Sequence, residues 1–244
     1  MVMLRTDIGK YKYLGLLTGL NITFMLVCNF TAARIISVFG VGVSVTLLYF
    51  PLTYLIADIL TEVYGYSQAR SIIWLSMLCS VIGASVAWGQ LLVPPALFFK
   101  DDAAYHQIFS SSPKIATAGV LALLVGDFCN SYTLAKMKVW NKGHYLWFRF
   151  VVSTVVGEGV NTVIFYGVAL YGVLPNGLLL ASVLVGWIGK TLVEVVMLPV
   201  TYPIVCHLKK VEGIDYYDYS TNFNPFIFGQ LGLEGAERMP GTSD

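Results

Sequence analysis

Residues 115–135 read IATAGVLALLVGDFCNSYTLA, an apolar run that only Asp127 and Asn130 interrupt near its middle. A run of this length lets an α-helix cross the hydrocarbon core of a bilayer. The two polar residues are three positions apart, so they lie on one face of that helix. A charge at this depth costs roughly 2.5–3.5 kcal/mol on insertion scales and usually faces a protein interior or an aqueous cavity. The stretch therefore predicts a membrane helix with one polar face.

Two further apolar runs carry the same kind of pair, Glu158 with Asn161 and Lys190 with Glu194. Spacings of three and four again place both members on one helix face. Ionisable residues within membrane helices often mark a substrate or ion path. The three pairs together predict a polar pocket inside a helical membrane protein.

The composition agrees with a chain that lies in lipid. Of the 244 residues, 57% are hydrophobic and 12% are charged, whereas soluble domains carry about 25% charged residues. The net charge is +1, so there is no electrostatic case for a nucleic-acid partner. We predict an all-α, polytopic membrane protein.

No residue pattern indicates catalysis, a metal or a cofactor. The cysteines are isolated within apolar stretches and are interpreted as packing residues. The histidines lie in loops or at a helix end, and no phosphate-binding or hydrolase motif occurs. The residues concerned are Cys28, Cys79, Cys129, Cys206, His106, His144 and His207.

The apolar blocks predict six transmembrane helices. The first is too long for a signal-peptide core and no clear cleavage site follows it, so we expect it to be retained. Residues 1–210 would form the transmembrane domain and 211–244 a polar, aromatic cytoplasmic tail, disordered at its end over 229–244. The predicted spans are about 13–36, 43–64, 70–92, 115–135, 148–171 and 178–206.

Lysine and arginine collect on one side of the predicted spans, which places both termini in the cytoplasm by the positive-inside rule. The other side holds only Arg34, Lys100 and Lys114. The basic side holds Arg5, Lys10, Lys12, Arg70, Lys136, Lys138, Lys142, Arg149, Lys209 and Lys210.

A short internal match joins residues 28–34 to residues 129–136, since both run Cys-Asn, then Thr, then Ala and a basic residue. Three helices per half would give a 3+3 inverted repeat, with a site between the repeats as in many transporters. A chance match is the alternative that this short stretch leaves open.

Asp58 and Glu62 share a face at the end of the second predicted span. Glu62 lies near the cytoplasmic boundary, where it would be solvated or paired with Arg70. Asp58 is about one turn deeper, and a functional role and helix–helix pairing are equally compatible with it. We expect Arg34, near the outer face, to reach the interface.

The acid-x-x-Asn pattern occurs twice, at Asp127 and at Glu158. A carboxylate only accepts hydrogen bonds, whereas an amide both donates and accepts. Such a set suits a planar heterocycle with adjacent N–H donors and a carbonyl acceptor, such as a guanine-like edge, and Trp187 would offer a stacking surface. The alternative is an interhelical clasp, worth only about 0.6 kcal/mol per hydrogen bond.

Acids outnumber bases at membrane depth. A spare carboxylate would serve a proton-coupled carrier or bind a cationic amine. The bases are Arg34 and Lys190, and the acids are Asp58, Glu62, Asp127, Glu158 and Glu194.

Most of these residues lie in blocks that resemble the vitamin-uptake-like (VUT) family of queuosine-precursor transporters, and the resemblance extends over nearly the whole chain. The resemblance implies a six-helix importer of the bacterial inner membrane. Its expected cargo is 7-cyano-7-deazaguanine or 7-aminomethyl-7-deazaguanine, both guanine analogues. The blocks are Asn29–Arg34, Asp58–Gly65, Gly126–Ser131, Gly157–Asn161, Gly189–Lys190 and Asp218–Phe226.

The favoured hypothesis is a self-contained secondary carrier. An ATP-driven importer, with this chain as its substrate-binding subunit, is one alternative, and a membrane enzyme with Asp127 and Glu158 as acid and base is another. In the favoured hypothesis Asp127, Asn130, Glu158, Asn161, Lys190 and Trp187 bind substrate. The supporting or proton-coupling residues are Asp58, Glu62, Glu194, Asn29 and Arg34.

Overall fold

The computed structural model describes residues 11–110, 112–169, 171–172, 175–227 and 236–238. Most of them are helical, and two short pairs of antiparallel strands complete the fold. The helices are α1 (Leu14–Thr31), α2 (Pro51–Tyr64), α3 (Tyr66–Gly89), α4 (Asp102–Ser110), α5 (Ser112–Trp140), α6 (Leu146–Ala169) and α7 (Asn176–Glu212). The paired strands are β1 (Ile35–Val38) with β2 (Val41–Ser44), and β3 (Ile214–Tyr216) with β4 (Ala236–Arg238).

Five described helices, α1, α3, α5, α6 and α7, are long and apolar enough to cross a membrane. This confirms the predicted class of helical, polytopic membrane protein. The count of six spans and the inverted repeat stay predictions. With 14 residues, α2 is about 21 Å long, which is shorter than the hydrocarbon core.

The predicted second span, 43–64, is wrong in its first part. Residues 43–44 end strand β2, and Val45–Leu48 form a 3₁₀ turn, so the α-helix begins only at Pro51. Alternating β-branched residues in 41–45 favour extended backbone, and proline is accepted at the first position of a helix. The first span also ends earlier than predicted, because α1 stops at Thr31 and β1 follows.

The other predicted spans coincide with long apolar helices, with shifted bounds. The region 93–114 contains α4, which was not predicted, and α7 runs unbroken through Pro199 and Pro203. Only 236–238 are described from the predicted disordered end 229–244, and they form β4. The basic residues Arg5 and Lys10 lie outside the described residues.

The helices turn polar faces inward. The most extensive packing joins α5 to α6, and α3, α7, α2 and α1 surround that pair. On α2 the residues Phe50, Tyr54, Asp58 and Glu62, four apart, are all buried. Many large apolar side chains of the same helices are exposed, as a lipid-facing surface requires.

The two strand pairs lie at opposite ends of α7. At its start, the Ser182 hydroxyl donates to the carbonyl of Gly42 in the β1–β2 hairpin at 2.7 Å. At its end, β3 leads into a tail segment that packs on α3. There the Arg70 guanidinium donates to the carbonyls of Asn222 and Asn224 at 2.9 and 3.0 Å. The tail therefore covers the end of the bundle where α2 meets α3.

Candidate functional site

Lys190, on α7, is the centre of the first polar group. Its ammonium lies 3.1 Å from Glu158 Oε2 and donates to Asn161 Oδ1 at 3.2 Å and Thr162 Oγ1 at 3.4 Å. It also lies 4.1 Å from the ring centre of Phe50, within range of a cation–π interaction. The structure thus brings together three of the predicted substrate-binding residues, Glu158, Asn161 and Lys190.

A cavity opens beside this group, between the carboxyl-terminal half of α1 and the adjoining parts of α5, α6 and α7. The cavity has a free volume of about 30 Å³, which is room for two or three waters. Its polar lining comes from Asn29, Thr46, Asn161, Tyr166 and Lys190.

Asp127 lies deeper in the bundle, 2% exposed. The hydroxyl of Tyr54, which donates to the Gly157 carbonyl at 3.2 Å, adjoins the Asp127 carboxylate. Helices α5 and α6 approach closely here, because a Cβ at Gly126 would meet Asn161 Cβ at 2.7 Å and one at Gly157 would meet Asn130 Cβ at 2.6 Å. The glycines therefore bring the two acid-x-x-Asn motifs side by side.

The next group joins four helices. Asn130 on α5 donates to Asp58 Oδ1 on α2 at 2.6 Å, and Thr154 on α6 donates to Glu194 Oε1 on α7. The carboxyl groups of Asp58 and Glu194 are direct neighbours, close enough to interact electrostatically. All four side chains are buried.

Glu62 lies one turn further along α2, in a group of its own. Its Oε1 lies 3.4 Å from Lys138 Nζ, 2.8 Å from Arg149 Nη2 and 2.6 Å from Lys209 Nζ. Both predicted alternatives for Glu62, solvation and pairing with Arg70, are therefore wrong, since Glu62 is fully buried and Arg70 binds the tail carbonyls instead. Sequence reasoning assigned these lysines and Arg149 to one side of the membrane and missed that they converge on one acid.

Asp215 in β3 completes the Glu62 group. Its carboxylate lies 2.6 Å from Lys138 Nζ and 2.7 Å from Lys209 Nζ. Burial would raise the pKa of Asp215, but the two ammonium groups outweigh it and hold the pKa below its ordinary value. Two acids and three bases therefore tie α2, α5, α6, α7 and β3 together.

Two predicted site residues lie away from these groups. Trp187 donates its indole N–H to the Val155 carbonyl at 3.0 Å and covers Gly159 on the outer side of α6, so it is absent from the cavity lining. Arg34 is exposed after the end of α1. Asn29 does line the cavity, facing Gly119.

Sequence reasoning missed Phe50, Tyr54 and Thr154. A signal for all three was available, because Phe50 and Tyr54 precede Asp58 by eight and four residues and share its helix face. Thr154 has the same relation to Glu158 on α6. No such spacing identifies the Ser44 backbone N–H, which donates to the Tyr166 hydroxyl at 3.1 Å beside the cavity.

Several buried acceptors in these groups have no donor within the described part of the chain. They are Asp58 Oδ2, Asp127 Oδ1, Asn130 Oδ1, Glu158 Oε1 and Glu194 Oε2. Buried polar atoms are normally hydrogen-bonded, so this excess of acceptors suits a ligand that supplies N–H groups or a proton. Within the described ranges no set of three or more His, Cys, Asp or Glu side chains could hold a metal ion.

Several buried groups of polar side chains inside a bundle of lipid-facing helices are typical of polytopic membrane transporters. The family model described as "Putative vitamin uptake transporter" matches residues 44–204, and the chain belongs to that family. It is accordingly a transporter and not an enzyme, which confirms the resemblance described above and excludes the membrane-enzyme alternative.

A relative in Bacillus subtilis (strain 168), named "Probable queuosine precursor transporter", is 27% identical over 183 residues. The aligned region covers 74% of this chain and 80% of the relative. No solved structure matches the chain.

Proposed function

We propose that this chain imports queuosine precursors, 7-cyano-7-deazaguanine or 7-aminomethyl-7-deazaguanine, as a self-contained secondary carrier of the bacterial inner membrane. The name of the Bacillus relative supports the substrate class. The arrangement of buried acceptors supports the way in which the substrate is recognised.

The observation that carries the proposal is the pair of acceptors without donors, Asp127 Oδ1 and Glu158 Oε1, next to the cation of Lys190. A guanine-like edge offers a ring N–H beside an exocyclic amine, and these two donors would satisfy both carboxylate oxygens. The neighbouring ring carbonyl would accept from Lys190 or from the Asn161 amide. The bond from a carboxylate to each N–H would be charge-assisted and therefore stronger than a neutral one.

The cavity is too small for a bicyclic base in this arrangement. Because Phe50 and Phe165 line it, their outward movement would open the space toward Asp127 and Glu158. The described arrangement is then a closed state of the carrier, and substrate binding requires α1, α5 and α7 to separate around the cavity, as alternating access demands.

The sidedness of the carrier follows from its basic residues. The Glu62 group, with Lys138, Arg149 and Lys209, would lie at the cytoplasmic end, and the cavity in the outer half. Both termini would then be cytoplasmic. The short helix α2, extended by the 3₁₀ turn before it, would serve as the sixth crossing.

Proteoliposomes that contain only this chain test the proposal. We expect labelled 7-cyano-7-deazaguanine to exchange across the membrane against unlabelled precursor. Asp127→Asn should reduce that exchange at least about tenfold, if a charge-assisted bond is lost, and the exposed-acid control Asp101→Asn should leave it unchanged. Failure of the wild type to bind or exchange the compound would overturn the proposal. Uptake that needs an added ATPase would replace the secondary carrier by an ATP-driven importer.

A further inference from the structure

Asp58 and Glu194 are buried neighbours, and in each carboxyl group one oxygen has a hydrogen-bond donor and the other has none among the described residues. Asp58 Oδ1 accepts from Asn130 and Glu194 Oε1 accepts from Thr154, whereas Asp58 Oδ2 and Glu194 Oε2 have no donor. Ionised carboxylates only accept hydrogen bonds. Two buried carboxyl groups in contact therefore need at least one proton between them, since both cannot stay ionised.

Among the residues that the structure describes, no cation is available to take the place of that proton. Lys190 pairs with Glu158, and Lys138, Arg149 and Lys209 pair with Glu62. The other ionisable groups that face the pair are Glu62 on α2, Asp127 on α5 and Glu158 on α6, all acids, with the Tyr54 hydroxyl. The surroundings of the pair thus favour a bound proton and disfavour two negative charges.

We propose that the Asp58–Glu194 pair is the proton-binding site that couples precursor uptake to the proton gradient. The inference rests on the proposed function, because it concerns what drives that transport. The pair joins α2 to α7, which pack against each other. When the shared proton is present, the two helices close. Once it has been released, two adjacent negative charges keep them from closing again.

The proton balance follows from this geometry. A proton from the outer side joins the two carboxylates as one shared proton while the precursor binds. Separation of α2 from α7 on the cytoplasmic side then exposes both groups to water, and the same proton is released there together with the precursor. One proton enters for each precursor molecule.

Proteoliposomes loaded without precursor test the coupling. An acid-outside gradient of one pH unit should accumulate labelled 7-cyano-7-deazaguanine about tenfold. Asp58→Asn and Glu194→Gln, in which an amide N–H replaces the shared proton, should lose this accumulation while counterflow persists. Asp101→Asn should behave as the wild type. Counterflow in the wild type with no response to the pH gradient would overturn the coupling and leave the proposed function standing.

Infrared spectroscopy of the purified chain tests the shared proton without any transport. At neutral pH we expect the C=O stretch of a protonated carboxyl group in the wild type and in Asp101→Asn. The band should lose intensity in both Asp58→Asn and Glu194→Gln. A spectrum without the band, or one that the two substitutions leave unchanged, would overturn the inference even if the chain carried no precursor.

Discussion

At the residue scale, the ion pair between Lys190 and Glu158 determines the charge beside the cavity. Breaking a buried ion pair by removing one charge usually costs 3–5 kcal/mol, because the partner is left uncompensated. Lys190 keeps other partners, since Asn161, Thr162 and the Phe50 ring also surround its ammonium. A conservative change at Glu158 can therefore test recognition without unfolding the chain.

For Glu158→Gln we expect precursor affinity to fall about tenfold or more, because a neutral amide oxygen replaces a charged acceptor. The melting temperature in detergent should change little, since the Gln oxygen can still accept from Lys190. A binding titration with 7-cyano-7-deazaguanine measures the affinity, with Asp101→Asn as the matched control. An unchanged affinity would remove Glu158 from the proposed site.

The ion pairs of Asp215 predict that the folded chain loses stability at acidic pH. Because Lys138 and Lys209 hold its pKa below the ordinary value, the unfolded chain binds a proton more readily there than the folded chain does. The stabilisation from the carboxylate is complete above the unfolded value near pH 4 and is lost as the pH falls through the lower folded value. Asp215→Asn should lower the melting temperature at neutral pH and flatten its fall below about pH 4. Parallel melting profiles for the two proteins would contradict this assignment.

At the scale of elements, the turn between α2 and α3 depends on Gly65. Its φ is +82° and ψ is 166°, a region that is accessible almost only to glycine. A Cβ at this position would also lie 2.2 Å from Tyr216 Cδ1 in β3. The turn thus brings α2, α3 and the start of the tail together.

Gly65→Ala should destabilise the chain by about 1–3 kcal/mol from backbone strain, with a further cost from the displaced Tyr216 ring. The loss should appear as a lower melting temperature in tryptophan fluorescence. Gly19→Ala is the matched control, because Gly19 is helical with nothing within 4 Å of its added Cβ, and alanine is favoured in helices. Equal melting temperatures for the two variants would refute the proposed role of the turn.

The elements that sequence predicted best are those with one dominant pattern. Long apolar runs identified α1, α3, α5, α6 and α7, because length and hydrophobicity suffice for a membrane helix. They failed at 43–50, because the predicted span overrode the alternating β-branched residues of 41–45 that favour a strand, and the short apolar run after them cannot be told from a helix by periodicity alone. The site was predictable to the extent that spacing placed polar residues on one helix face. Which faces meet, such as Asp58 with Glu194, depends on helix packing that the local sequence does not encode.

For the whole molecule, the two ends of the bundle should face opposite sides of the membrane. In a chain whose native cysteines are replaced by alanine, Asp101→Cys lies before α4 and His144→Cys in the turn between α5 and α6, both exposed. A membrane-impermeant maleimide should label Asp101→Cys on intact cells, and His144→Cys only after permeabilisation. The reverse pattern would invert the proposed orientation, and labelling of both from outside would place the two turns on one side.

The Glu62 group has a consequence for how the chain is made. Its cations follow Glu62 by 76, 87 and 147 residues in the sequence. Glu62 is therefore synthesised long before the last of its counter-ions. Until α7 emerges, Glu62 has no full set of partners, and burying it in lipid at that stage would be costly. We therefore expect α2 to stay in contact with water at the insertion machinery and to pack into the bundle last, although it is the second helix to be synthesised.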